Sequence, residues 1–181
     1  MSWKVDGAHT SIEFAVRHMM VSTVRGHFNE FTAEVDLDPE DQTRSWVTAE
    51  IKTASLDTRE AARDAHLRSA DFFDVEKFPL ITFKSGKVES KGGDNFLVEG
   101  DLTIKDVTRP VVLDVEFLGM EKSPYGFRVA GFEATGKLSR EEFGLTWNVA
   151  LEAGGFIVGD EIKLRIDGEV DEVTAEVAAA A

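Results

Sequence analysis

Apolar and polar residues alternate with a period of two along most of this chain, the signature of strands with one dry face and one wet face. Ile12, Phe14, Val16, His18 and Met20 share a side, with Glu13, Ala15 and Arg17 opposite. Phe31, Ala33, Val35 and Leu37 alternate against Thr32, Glu34 and Asp36, and Val47, Ala49 and Ile51 against Thr48, Glu50 and Lys52. Ile81, Phe83 and Ser85 follow Pro79, whose missing N–H is tolerated at a strand start. Phe96, Val98, Gly100, Leu102 and Ile104 form the next dry face, then Val111, Leu113, Val115 and Phe117. Val129 or Phe132 continues with Ala134, and Ile162, Leu164, Ile166, Gly168 and Val170 come last. The pattern predicts about eight strands.

Parallel sheets are buried on both faces and read as continuous apolar runs, so these half-wet strands belong to an antiparallel sheet. Asp38-Pro39-Glu40-Asp41, Gly92-Gly93-Asp94-Asn95 and Ser123-Pro124-Tyr125-Gly126 carry turn chemistry and predict an up-and-down order. Glycines at 26, 100, 119, 131 and 136 weaken strands unless a tight bend needs them, and closing a barrel needs such bends. An eight-stranded barrel either encloses one small ligand or fills with its own side chains. One helix is predicted: Asp57 and Glu60 have capping-box spacing, and 59–69 contains no breaker. A short turn is expected at 139–143. The expected architecture is all-β: a single antiparallel eight-stranded barrel over 1–171, with one short α-helix across an opening and a frayed tail over 172–181.

Charge narrows the partners. Twenty Lys and Arg against 34 Asp and Glu leave a net of −14, which repels phosphate backbones and anionic headgroups. Nucleic acid is therefore not an expected partner. No cysteine is present, so disulfides, zinc–thiolate sites and thiol nucleophiles are out. No apolar run approaches the roughly 20 residues of a membrane-spanning helix, so no integral membrane segment is expected. MSWKVDGAHT has neither a basic n-region nor an apolar run, so the expected location is cytoplasmic; a trimmed exported protein, periplasmic, would read the same.

Candidate chemistry is sparse. His9, His18, His27 and His66 stand in no HExxH or H-x-H pairing, so no metal is expected. Glu50, Glu99 and Glu116 fall on wet faces, whereas general acid–base work wants a desolvated carboxylate. No G-x-S-x-G elbow or P-loop occurs, and Gly154-Gly155 leads into a strand. An enzyme is not expected, and no cofactor is implied. Arg59, Arg63 and His66 lie at i, i+4 and i+7, either a solvated face or a mouth for a polar headgroup. Thirteen phenylalanines against one tyrosine give apolar surface with no hydrogen-bond demand, which suits a hydrocarbon tunnel but on the residues alone favours a packed core.

Four segments carry a resemblance: HTSIEFAVRH, RDAHLRSADFFDVEKFPLITFKS, LTIKDVTRPVVL and GGFIVGDEIKLRI, in this order over nearly the whole chain. They resemble the YceI-like family. The resemblance implies a lipocalin-like barrel that binds, stores or transports a long apolar lipid, such as a polyisoprenoid or isoprenoid quinone, without chemistry on it. A lumen would then be lined by Phe14, Val16, Met20, Phe28, Phe31, Phe83, Leu102, Phe117 and Phe132. Adjacent Phe72 and Phe73 need two apolar surfaces and form a collar between helix and tunnel, while Phe143 and Trp147 close the other end. His9, Arg59, Arg63 and His66 would meet the headgroup. Each buried methylene gains ~0.8 kcal/mol, against an association cost of ~4–15 kcal/mol, so only a long chain binds firmly. The alternative is a filled, ligand-free barrel acting as a stress-response or protein-interaction module, as a homodimer.

Overall fold

The alternating strands close on themselves. A computed structural model describes residues 2–173. Among these, the strands are β1 (Ser2–Val5), β2 (Ser11–His18), β3 (Ser22–Phe28), β4 (Phe31–Asp36), β5 (Trp46–Lys52), β6 (Leu56–Asp57), β7 (Leu80–Gly92), β8 (Asn95–Ile104), β9 (Val107–Lys122), β10 (Arg128–Ser139) and β11 (Val158–Glu172). The helix α1 spans Ala61–Arg68 between β6 and β7.

Every pairing is antiparallel, and the sheet is a closed eight-stave barrel. Three staves are interrupted. β1 and β2 form one broken stave, because both pair with β11, at Val5↔Val170 and Ile12↔Ile166. β3 and β4 lie beside them as the second, and β5 and β6 as the third. The breaks satisfy their own backbone groups, as buried or half-buried chain must. Asp6 donates its N–H to Glu169 O (2.9 Å), and its carboxylate accepts the Ala8 N–H (2.7 Å). Asn29 N–H bonds Ser55 O (3.2 Å), and Glu30 N–H bonds Ser55 Oγ (3.0 Å), which ties the second break to the third.

The expected strand set holds for eight of these elements, and β1, β3 and β6 add to it. The choice between Val129 and Phe132 resolves to Phe132. A bulge between Gly131 and Phe132 pairs Phe132 with Phe117 and turns Leu118 out to solvent. β11 runs through Glu172, one residue into the expected tail, and 174–181 lie outside the described residues.

The helix begins later than its capping-box spacing predicts. Asp57 ends β6, and its carboxylate accepts the Arg59 N–H (2.7 Å). Arg59 sits at φ 64, which breaks any helix running through it. Glu60 is the N-cap, accepting the N–H groups of Ala62 (3.2 Å) and Arg63 (2.8 Å). The Asp64 carboxylate, buried, accepts both the N–H (2.9 Å) and the hydroxyl (2.5 Å) of Thr58. No helix among the described residues is long and apolar enough to cross a membrane.

Two apolar clusters stopper the two ends. At the helix end, Phe28, Leu56, Phe72, Phe143 and Leu145 are buried together. At the opposite end, Trp3, Leu37, Ala130 and Val170 pack with Phe117, Met120 and Phe132. Trp3 is 2% exposed and donates its indole N–H to Leu37 O (3.2 Å), the partner a buried tryptophan needs. The Arg128 guanidinium lies over its ring, 5.5 Å from the centroid.

Candidate binding cavity

Between the stoppers lies a cavity of about 340 Å³, within the range of roughly 300–1,000 Å³ typical of small-molecule sites. Its wall is built by cross-strand pairs of inward residues, for example Val16 with Ile162, Phe14 with Leu164 and Ile12 with Ile166. Polar residues on the lining are confined to Thr10, Gln42, Ser45, Ser85 and Arg140. A void so lined stays dry and accepts hydrocarbon. The expectation of a filled barrel is at odds with this void.

Three phenylalanine rings of the lining reach over glycines of the adjacent strand. Phe14 covers Gly26, Phe83 covers Gly100 and Phe132 covers Gly168. Each of these glycines sits in a neighbouring strand, where a Cβ would strike the ring. The strand glycines thus do more than bend the sheet. They leave seats into which aromatic rings fold sideways, off the axis of the barrel.

Of the tail residues expected from the sequence, Phe14, Val16, Phe28, Phe31, Phe72, Phe73, Phe83, Leu102, Phe117 and Phe132 line the cavity. Met20 does not. Met19 and Met20 turn the chain at φ 50 and 63, and Met20 is 68% exposed, with its thioether over Gly155. Phe72 and Phe73 do serve two apolar surfaces. Phe72 packs against Trp147 (5.4 Å) and edge-on to His66 (5.1 Å), whereas Phe73 meets Phe28 (6.1 Å).

Phe143 and Trp147 do not close the far end. They stand at the helix end, packed with Phe72 behind the lining. The far end is closed by Trp3, which the sequence reading passed over, although Trp3 and Val5 alternate with Ser2 and Lys4.

The four headgroup candidates do not converge, and none borders the cavity. His9 lies on the outer wall at the first stave break, its Nδ1 2.8 Å from Asp6 Oδ2 and 3.5 Å from Glu169 Oε1. The hydrogen bond that His9 donates to the Asp6 carboxylate, then the charges of Asp6 and Glu169, raise the His9 pKa above its ordinary 6.5. Burial, then the charges of Asp6 and Glu169, push the Asp171 carboxyl up. Asp6, His9 and Glu169 have ligand atoms close enough to gather around a cation, but none of the three lines the cavity. Arg59 precedes the helix, Arg63 is held by Thr58 (Nε to Oγ1, 2.7 Å; Nη2 to O, 2.7 Å), and His66 pairs with Asp71 (2.8 Å). The helix contributes only Leu67 to the lining.

The cavity reaches solvent beside the Trp3 stopper, at the seam between β5 and β7. β5 pairs with β7 only over Thr48–Lys52, while β7 runs on beside β8 to Gly92. Where they part, Ser85 Oγ accepts the Val47 N–H (2.8 Å), and a 3-10 turn at Gln42–Arg44 fills the seam. Gln42, Ser45 and Trp46, the last 44% exposed, carry the lining outward there.

A sequence profile of the YceI-like domain matches residues 3–170. The chain belongs to the YceI-like family. A UPF0312 protein of Staphylococcus aureus strain USA300 is 43% identical over 166 residues, 91% of this chain and 94% of the relative. The YCEI protein of Campylobacter jejuni superposes with a TM-score of 0.75 at 33% identity, over 87% of this chain and 90% of its own. BcnA of Burkholderia cenocepacia shares the fold (TM-score 0.78, 23% identity, 93% and 99% covered). So does a polyisoprenoid binding domain from Saccharophagus degradans (TM-score 0.66, 11% identity, 94% and 98% covered).

Proposed function

We propose that this YceI-like barrel carries or stores a single long apolar lipid, of the polyisoprenoid or isoprenoid-quinone class, without chemistry on it. The observation that carries the reading is the continuous hydrocarbon lining between the Trp3 and Phe72 stoppers. A polyisoprenoid binding domain of the same fold supports the same class of ligand. The energetics select for length. At ~0.8 kcal/mol per buried methylene, several isoprene units offset the ~4–15 kcal/mol cost of association, and a chain of five or six carbons does not.

The seam between β5 and β7 is the route of entry in this reading. Opening it breaks the Val47–Ser85 bond and lifts the 42–44 turn, whereas the helix end is packed shut by Phe72, Phe143 and Leu145.

Extraction of the purified protein with organic solvent after incubation with polyprenol-bearing vesicles, followed by mass spectrometry, tests the reading. The expected result is one apolar chain per protein. A blank extract would overturn it.

A further inference from the structure

We propose that the helix end of the barrel docks on an anionic lipid bilayer, inserting an apolar tip and setting a belt of cations against the headgroups. The inference goes beyond the carrier reading and stands without it.

The tip is built from two turns close to Trp147. One joins β2 to β3 and carries Met19, Met20 and Val21; the other, over 149–157, carries Val149 and Phe156. These side chains are exposed, from 45% at Met19 to 80% at Val21. They form one patch, because the Met19 N–H donates to Ile157 O (2.8 Å), the Ile157 N–H donates to Val149 O (3.0 Å), and the Met20 thioether lies over Gly155. Large apolar side chains exposed as a group mark a docking surface, whereas single ones do not. Both turns also bond their own backbone, as chain entering lipid must. His18 O accepts the Val21 N–H (3.1 Å), Gly155 O accepts the Leu151 N–H (3.0 Å), and Leu151 O accepts the Gly154 N–H (3.0 Å).

Behind the tip the outer wall is basic. Phe14 and Val16 face the cavity, so Ala15 and Arg17 face outward on β2. Lys137, Lys163, Ala15 and Arg25 fall in one cross-strand row through β10, β11, β2 and β3, and Arg17 stands diagonally from Arg25. Lys137 lies 3.8 Å from Glu161, while Arg17, Arg25 and Lys163 have no carboxylate within ion-pair distance among the described residues. Like charges directly opposite one another, as Lys137 and Lys163 are, destabilise a sheet. An anionic surface relieves that repulsion. The acids nearest in the chain are Glu152, Asp160 and Glu161, and Asp160 is engaged by the Ser139 hydroxyl (2.8 Å) and the Glu141 N–H (3.1 Å).

The spacing of tip and belt matches the depth of a bilayer interface. Arg17 precedes Met20 by three residues, about 10 Å along a strand, and amphipathic elements sink about 5–10 Å past the headgroups. With the tip inserted, the cations therefore meet the phosphates. The net charge of −14 does not prevent this. Along the tilted barrel, Val158 to Val170 spans on the order of 30 Å, several Debye lengths of about 8 Å each. Carboxylates at the Trp3 end are thus screened from a surface met by the helix end. Docked this way, the barrel keeps its β5–β7 seam in water.

Flotation of the full-length protein with vesicles of phosphatidylcholine, alone or mixed with an equal share of phosphatidylglycerol, tests the docking. The protein should float with the mixed vesicles, stay behind with phosphatidylcholine alone, and come off as salt is raised. Arg17→Gln combined with Arg25→Gln should weaken partitioning by about tenfold or more. Val21→Asp combined with Phe156→Asp should abolish it. All of these side chains are exposed, so the variants should fold. The chain has no cysteine, so Val21→Cys and Tyr125→Cys proteins each take an environment-sensitive dye at one place. The dye at 21 should shift to the blue on the mixed vesicles, and the dye at 125, in the turn between β9 and β10 at the Trp3 end, should not. No flotation, equal flotation on both vesicles, flotation kept by both double variants, or a shift at 125 in place of 21 overturns the proposal. A dimer that Val21→Asp with Phe156→Asp disperses, with no vesicle binding, overturns it too and gives the patch to a second copy of the chain.

Discussion

Gly168→Ala separates a hollow barrel from a packed one. The three atoms nearest a Cβ built at Gly168 all belong to the Phe132 ring, with Cε2 at 2.5 Å and Cε1 at 2.8 Å and Cζ closer still. Ordinary contact begins at 3.4 Å, so the ring edge must retreat by about 1 Å. Gly168 is not at positive φ, so alanine adds no backbone strain and recovers about 0.5–1 kcal/mol of chain entropy. In a filled core the displaced ring has nowhere to go, and overpacking costs about 1–3 kcal/mol. Here the lumen receives it. The net change in stability should stay within about 1 kcal/mol of zero. Lipid capacity should suffer instead. A ring advancing into the lumen evicts on the order of two to three methylenes, about 2 kcal/mol at ~0.8 each, or roughly a thirtyfold loss of affinity. Denaturant unfolding reads the first quantity and titration with a fluorescent polyprenyl probe the second. Gly100→Ala is the contrast, because its Cβ also meets the fixed Lys84 carbonyl at 2.6 Å and should destabilise the wall. A Gly168→Ala protein destabilised by 3 kcal/mol yet unchanged in lipid uptake would refute the reasoning.

Leu102→Asp puts an uncompensated charge on the lining and should abolish loading while leaving the sheet register intact; retained uptake in the folded variant would count against the cavity as the site. Thr53 is 1% exposed with a hydroxyl that has no partner, so Thr53→Val should raise stability by up to about 1 kcal/mol; a loss on unfolding would mean that the hydroxyl is satisfied. His9 should titrate above 6.5 by NMR and fall back toward it in Asp6→Asn. The raised His9 pKa means that its contribution is full below 6.5 and fades as pH rises through the shifted value. Asp6, lowered chiefly by its bond to His9, contributes above 3.8 and loses that contribution as pH falls. The pair should therefore stabilise most between those limits, and a His9 that titrates at or below 6.5 would contradict the pairing.

Period-two alternation made eight strands legible, and with them the antiparallel barrel, because each has a wet and a dry face. β3 escaped because Gly26, the seat for Phe14, blanks the middle of its pattern. β1 and β6 are four and two residues long, too short for a period to register. Met20 was one alternation too many, since nothing in the residue types signals that Met19 and Met20 adopt positive φ. The placement of Phe143 and Trp147 was recoverable. From α1 the chain makes four antiparallel passes, β7 to β10, and an even number returns it to the end it left. The basic stripe assumed a helix that included Arg59. Arg140, in a segment read only as a turn, carries no sequence signal of its burial, because the carbonyls that hold it come from 145–159.

The central claim is a lumen threaded by hydrocarbon, and a crystal soaked with a brominated polyprenyl chain tests it most directly. Anomalous peaks should fall inside the barrel, between Phe132 at one stopper and Phe72 at the other. Peaks confined to the outer surface, with the interior unlabelled, would contradict the account.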